Sequence, residues 1–230
     1  MRILLLFLLF MPSSIIAGAW PRVKGEVFLS FSTEIPAAPQ TRYATGTSLY
    51  AEYGLTSRLT VGFDGYLGPK GSPSETYLFL RFPFGKPDRP THLALSFGLG
   101  QKTIPNPWGT ITRQKLARIG AAWGMGLKTG WLSVDASVAT VLDASIDVPG
   151  QSGITYKADF TWGMKPSKRI MLIWQLQTGK VPDGPSYAKF TPSVVWSIGE
   201  KHSSQIEIGL IKGLTGDDSQ KLKLGFWKRF

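Results

Sequence analysis

From residue 20 onward, apolar and polar side chains alternate with a period of two. Turn residues interrupt the alternation about every ten to fifteen positions. The pattern predicts about twelve β-strands, at 24–34, 46–55, 58–67, 75–84, 91–101, 114–127, 130–142, 153–164, 169–178, 187–198, 204–212 and 220–230. One set of alternate positions is apolar: Val27, Leu29 and Phe31; Leu93, Leu95, Phe97 and Leu99; Leu132, Val134 and Val138; Ile206, Ile208 and Leu210. The opposite set is small or polar: Glu26, Ser30 and Ser32; Ala94, Ser96 and Gly98; Ser133, Asp135 and Ser137; Gln205, Glu207 and Gly209. No segment beyond residue 19 has a helical period and no linker divides it, so residues 20–230 read as one all-β domain.

The connections alternate in length. Thr56-Ser57, 85–90, Lys128-Thr129, 165–168 and 199–203 are short. The segments 35–45, 68–74, 102–113, 143–152, 179–186 and 213–219 are mostly longer and rich in Gly, Pro, Asp and Ser. Transmembrane barrels have short periplasmic turns, longer external loops and an even strand count. If 24–34 runs outward, every short turn and both termini fall on the periplasmic side. A soluble sandwich has no reason to sort its loops this way. Alternation alone does not say which face is inside. The loop asymmetry favours apolar side chains toward lipid and polar ones toward the axis. Tyr53, Phe82, Phe84, Trp123, Trp162, Trp196 and Phe230 then form an aromatic girdle at the periplasmic boundary.

Two features strain this reading. Pro192 lies within 187–198 and has no N–H to give the ladder, so a bulge or local break is expected there. Tyr77, Phe79, Met171 and Ile173 fall on the polar face, where they either fill the interior or mark an error of register.

In the last segment Leu222, Leu224, Phe226 and Phe230 share one face, and Lys221, Lys223, Trp227 and Arg229 share the other. A strand of this kind ending in an aromatic resembles the C-terminal strand of bacterial outer-membrane β-barrels. The resemblance implies that Phe230 is part of the signal read by the assembly machinery. Lys228, on the apolar face, departs from the pattern. The hairpin AEYGLTSRLTVGFDG at 51–65 also resembles those of proteobacterial outer-membrane barrels, including transporters of small molecules. This likeness extends to fold and compartment and carries no catalytic residue.

The first nineteen residues read as a signal peptide. Arg2 precedes an apolar run from Ile3 to Met11, and Ala17-Gly18-Ala19 supplies small residues for cleavage before Trp20. The run is too short to span a bilayer as a helix, and no later segment is long and apolar enough. The chain has no cysteine, which removes thiol catalysis and thiolate metal sites. Its net charge of +11 is spread over alternating strands without a nucleic-acid motif, so lipopolysaccharide phosphates or an anion-favouring lumen are the natural outlets.

Candidate lumen or constriction residues are Glu52, Arg58, Asp64, Arg81, Arg118, Asp135, Lys157, Asp159, Glu207 and Lys223. Both signs are present. They either line a narrow selective pore or pair into a plug. Strand count does not decide, because eight strands are filled by side chains and sixteen leave a channel. Catalysis on this architecture uses His with Ser, Asp or Glu. His92 and His202 both fall at the periplasmic end, where turn solvation is their expected role. No metal site and no cofactor is expected. Asp217-Asp218 reads as a solvated turn or a weak cation contact, and Trp108 as a loop-tip contact or packing.

The expectation is therefore an all-β transmembrane antiparallel up-and-down β-barrel of about twelve strands (residues 20–230) following a signal peptide (1–19), placed in the Gram-negative outer membrane. The expected function is a small passive channel for polar solutes. The alternatives are a non-conducting structural or adhesive barrel and, less favoured, a lipid-modifying enzyme. The expected partners are outer-membrane lipids and lipopolysaccharide, the barrel-assembly machinery, periplasmic chaperones and small solutes, without nucleic acid.

Overall fold

The computed structural model describes residues 18–37, 45–86, 89–105, 110–142, 153–182, 184–199, 203–216 and 219–230. Twelve strands follow one another: β1 (Val27–Pro36), β2 (Gly46–Thr56), β3 (Leu59–Leu67), β4 (Ser74–Phe84), β5 (Thr91–Pro105), β6 (Ile111–Leu127), β7 (Gly130–Val141), β8 (Ile154–Met164), β9 (Ile170–Lys180), β10 (Ser186–Ile198), β11 (Ser204–Thr215) and β12 (Gln220–Arg229). Each pairs antiparallel with its neighbours in sequence, and β1 pairs with β12 to close the barrel. The terminal residue completes the seam: Phe230 N donates to Val27 O at 2.9 Å, and Val27 N donates to Phe230 O at 3.3 Å. No helix among the described residues is long and apolar enough to cross a membrane.

The strand boundaries depart from those expected where side-chain alternation fades. β5 and β6 extend their ladder to Pro105↔Ile111, past the expected ends at 101 and 114. The outward pair there is polar, Thr103↔Arg113, because the backbone ladder does not need an apolar face beyond the hydrocarbon. β1 starts at Val27 rather than at residue 24, since Val23–Glu26 form a turn in which Glu26 N donates to Val23 O at 3.0 Å. The signal peptide, Trp108, His202 and Asp217-Asp218 lie outside the described residues, except for Gly18 and Ala19 at the end of the signal segment.

The two faces separate as the alternation requires. Phe97, Leu99, Val138, Phe160, Ile208 and Leu210 are exposed on the outer wall, Ile208 by 54% and Leu210 by 60%. Of the expected girdle, Tyr53, Phe84, Trp162, Trp196 and Phe230 are exposed at the end of the barrel that carries both termini. Lys228, the misfit of the last strand, donates from Nζ to Ser204 Oγ at 2.8 Å and lies 5.5 Å from the Phe230 ring. Its charge is therefore held at the rim. Tyr77, Phe79, Met171 and Ile173 are buried inside the barrel, so the register stands and these residues fill the interior.

Pro192 interrupts one ladder. Its pairing with β9 continues through Pro192↔Trp174. The pairing with β11 passes from Phe190↔Lys212 to Ser193↔Gly209 in unchanged register, omitting Thr191 and Pro192, and shifts register between Ala188 and Lys189. The missing N–H accounts for the first interruption.

The inverted faces give a direct test. Ile208→Arg on the outer wall is expected to lower unfolding stability in lipid vesicles by roughly 2–4 kcal/mol. Ser137→Arg, on the inner face, is expected to change it far less. Urea titrations followed by tryptophan fluorescence measure both.

Candidate functional site in the barrel lumen

The interior divides into two halves. At the end carrying the termini, Trp131, Met171, Ile173 and Val195 form an apolar cluster against which Trp20 and Trp227 pack. A second cluster joins Ala19, Ala94 and Ala122, again with Trp20. Facing them is a charged group built on Glu52, which is 2% exposed. Arg22 Nε donates to Glu52 Oε2 at 2.6 Å, Tyr50 Oη donates to Glu52 Oε1 at 2.6 Å, and Arg81 also donates to Oε1. The Arg22 guanidinium lies 4.4 Å over the Phe28 ring and that of Arg81 5.1 Å from Phe79. Glu52 thus joins two buried cations, Glu26 adds a 3.4 Å contact to Arg22, and aromatic faces supply further stabilisation.

Toward the long-loop end the lumen is more open. Arg118 Nη1 donates to Asp64 Oδ2 at 2.7 Å and its guanidinium sits 4.0 Å over the Tyr77 ring. Glu75 lies 3.8 Å from both Lys102 and Lys157. Glu75, Lys102, Arg118 and Lys157 line a small recess of about 20 Å³ with Tyr77 and Ser137. On the far wall Lys223 Nζ donates to Glu207 Oε1 at 2.9 Å, and Lys221 Nζ donates to Glu34 Oε2 at 2.9 Å. Asp135 and Asp159 stand opposite each other on β7 and β8, two carboxylates in one row.

Nine of the ten expected lumen residues face the interior. Arg58 does not. It lies in the two-residue connection between β2 and β3, exposed, with its backbone N donating to Thr56 Oγ1 at 3.1 Å. The reversal sits one residue later than the sequence suggested, at Ser57-Arg58, and this carries Arg58 off the strand. His92 is not a solvated turn residue either: it is buried in the lumen, its ring 5.5 Å from that of Trp20. Sequence reasoning missed Arg22 and Trp20, because no alternation marks Trp20-Pro21-Arg22. Among the described residues no group of three or more His, Asp or Glu side chains could hold a metal ion.

No family model matches the sequence, and no curated protein matches it. Solved structures do match. The KdgM porin aligns with a TM-score of 0.59 at 8% identity, over 88% of this chain and 99% of its own. KdgM in complex with disordered oligogalacturonate aligns with a TM-score of 0.62 at 6% identity, over 88% and 99%. An outer membrane channel from Pseudomonas putida F1 aligns with a TM-score of 0.57 at 12% identity, over 94% of this chain and all of its own. The fold is that of an outer-membrane β-barrel. At these identities the likeness extends to the fold alone.

Glu52→Gln leaves the buried Arg81 without its paired anion and Arg22 with only the longer contact to Glu26, and is expected to destabilise the folded barrel by roughly 3–5 kcal/mol. Arg118→Met breaks a pair whose Asp64 is 38% exposed, and is expected to cost about 1 kcal/mol or less. Vesicle-based urea titration separates the two.

Proposed function

We propose that the chain is a passive channel of the Gram-negative outer membrane that lets small polar solutes diffuse along the barrel axis, with no covalent step and no cofactor. The observation that carries this reading is a closed wall, apolar outside, around an interior holding Arg118, Lys102, Lys157 and their acidic partners. The names of the similar structures support it: two are of a porin and one is of a channel. Residues 1–19 are the cleaved signal peptide, which places both termini and the short turns in the periplasm. Phe230 at the closing seam serves recognition by the assembly machinery, with periplasmic chaperones escorting the unfolded chain. Lipopolysaccharide and the other lipids surround the outer wall. In the outer half Lys102 and Lys157 flank Glu75 at the recess and are the groups that would meet a small anion.

A second reading is a barrel that does not conduct and serves the envelope structurally. The filled half of the lumen around Glu52 and Trp131 favours it. An enzymatic role finds less support, since His92 packs on Trp20 inside the barrel, away from the lipid-facing surface where an acyl substrate would lie.

Planar-bilayer recording decides between channel and inert barrel. Discrete conductance steps are expected from the purified protein. Lys102→Glu combined with Lys157→Glu is expected to move the reversal potential in a salt gradient toward cation selectivity. Silence from verifiably folded protein would remove the channel. Recovery of the protein in a detergent-free periplasmic extract would remove the membrane placement as well.

A further inference from the structure

The chain before β1 does not lie along the rim. From the turn at Val23–Glu26, held by Gly25 N donating to Gly54 O at 2.8 Å, it enters the lumen. Arg22 is tied to Glu52 on β2. Trp20, two residues earlier, reaches the other wall, where its ring lies tilted 5.5 Å from that of His92 of β5 and packs on the cluster of Trp131, Met171, Ile173 and Val195. Three residues therefore cross the barrel from the β2 side to the β5–β10 side. Gly124 of β6 is shaped for this crossing: a first side-chain carbon there would fall 2.2 Å from the Trp20 ring. A carbon so placed at Gly18 would fall 2.5 Å from Asp135 Oδ1, so the segment runs against that carboxylate. Ala19 touches Ala122, the cross-strand partner of Asp135. Among the described residues no cation lies within 4 Å of Asp135 or its neighbour Asp159; Arg81 acts on Asp135, and Lys157 and Lys223 on Asp159, from farther off.

We propose that Asp135 and Asp159 form the binding site for the mature chain's own amino terminus, which makes Trp20-Pro21-Arg22 a tethered plug across the periplasmic mouth. Hydrolysis of the Ala19–Trp20 bond adds one water: Ala19 leaves as a carboxylate, and Trp20 gains an ammonium group. In the uncleaved chain Gly18 and Ala19 occupy the space beside Asp135 and Ala122, and their departure leaves that space to the new ammonium group, with Asp159 paired across from Asp135. The plug then has three attachments. The ammonium pairs with the aspartates, the indole fills the apolar cluster, and Arg22 pairs with Glu52. The ammonium and the indole hold the β5–β10 side and Arg22 holds β2, so the segment spans the opening instead of lying along one side. The effect on conductance rests on the channel reading; the docking itself does not.

The sequence contains no cysteine, so single thiols report cleanly. N-terminal sequencing of protein purified from membranes should begin at Trp20. In otherwise native barrels Pro21→Cys should react with a membrane-impermeant maleimide at least about tenfold more slowly than Lys24→Cys in the exposed turn. Gly124→Leu, which evicts the indole, and Asp135→Asn, which removes the charge partner, should each bring the Pro21→Cys rate toward that of Lys24→Cys. In planar bilayers Gly124→Leu and deletion of residues 20–23 should each raise unit conductance by about twofold or more. Equal labelling of Pro21→Cys and Lys24→Cys in the native background would overturn the plug, whatever the conductance. A mature chain starting elsewhere, or an Asp135→Asn rate unchanged while Gly124→Leu speeds labelling, would overturn the ammonium site and leave the plug. Slow labelling relieved by both substitutions, with no current from any variant, would uphold the plug and remove the channel.

Discussion

Everything in this molecule follows from the need to leave no backbone hydrogen-bonding group unpaired in hydrocarbon. A strand in lipid cannot turn to water for a donor, so the sheet must close on itself. The seam between β1 and β12 achieves this, and the final residue takes part through both its N–H and its carbonyl. Closure fixes the rest. It forces a strict division between an outer face that meets acyl chains and an inner face that does not, and it makes every side chain on a strand belong to one or the other. The period-two pattern is the trace of that division in the sequence.

That is why so much of the fold was legible. Twelve strands, their order and their facing could be read because lipid penalises a misplaced polar residue at every second position. Where lipid stops, the signal stops: the extension of β5 and β6 to Pro105 and Ile111 is carried by backbone pairing that no side chain announces. Arg58 shows the same limit on a smaller scale. A one-residue difference in the position of a turn moved a charge from the wall to the rim. The interior was less legible than the exterior. Alternation says that Glu52 and Arg81 point inward, but not that they meet around one carboxylate with Tyr50 and Arg22. Those partners are 29 or 30 residues from Glu52, or two positions along its own strand, and only the closed wall brings them together.

The lumen combines materials that a soluble core keeps apart. Apolar packing around Trp131 and Val195 sits across from buried Arg and Glu side chains. The arrangement works because each cation has both an anion and an aromatic ring within reach, which offsets its desolvation without requiring water. In the opposite half the charged groups are less covered, with the Asp64 side chain 38% and that of Lys157 45% exposed. This gradient from sealed to open along one axis gives the barrel a direction that its nearly symmetric strand ladder lacks.

The gap beside Pro192 bears on how the wall deforms. Between β10 and β11 two rungs are absent and a register shift follows within a few residues. A cylinder whose circuit of hydrogen bonds is thinned along one line has a compliant hoop there. Lateral pressure from the surrounding bilayer would flatten the cross-section preferentially about that line, and the bore would turn oval before it narrowed uniformly.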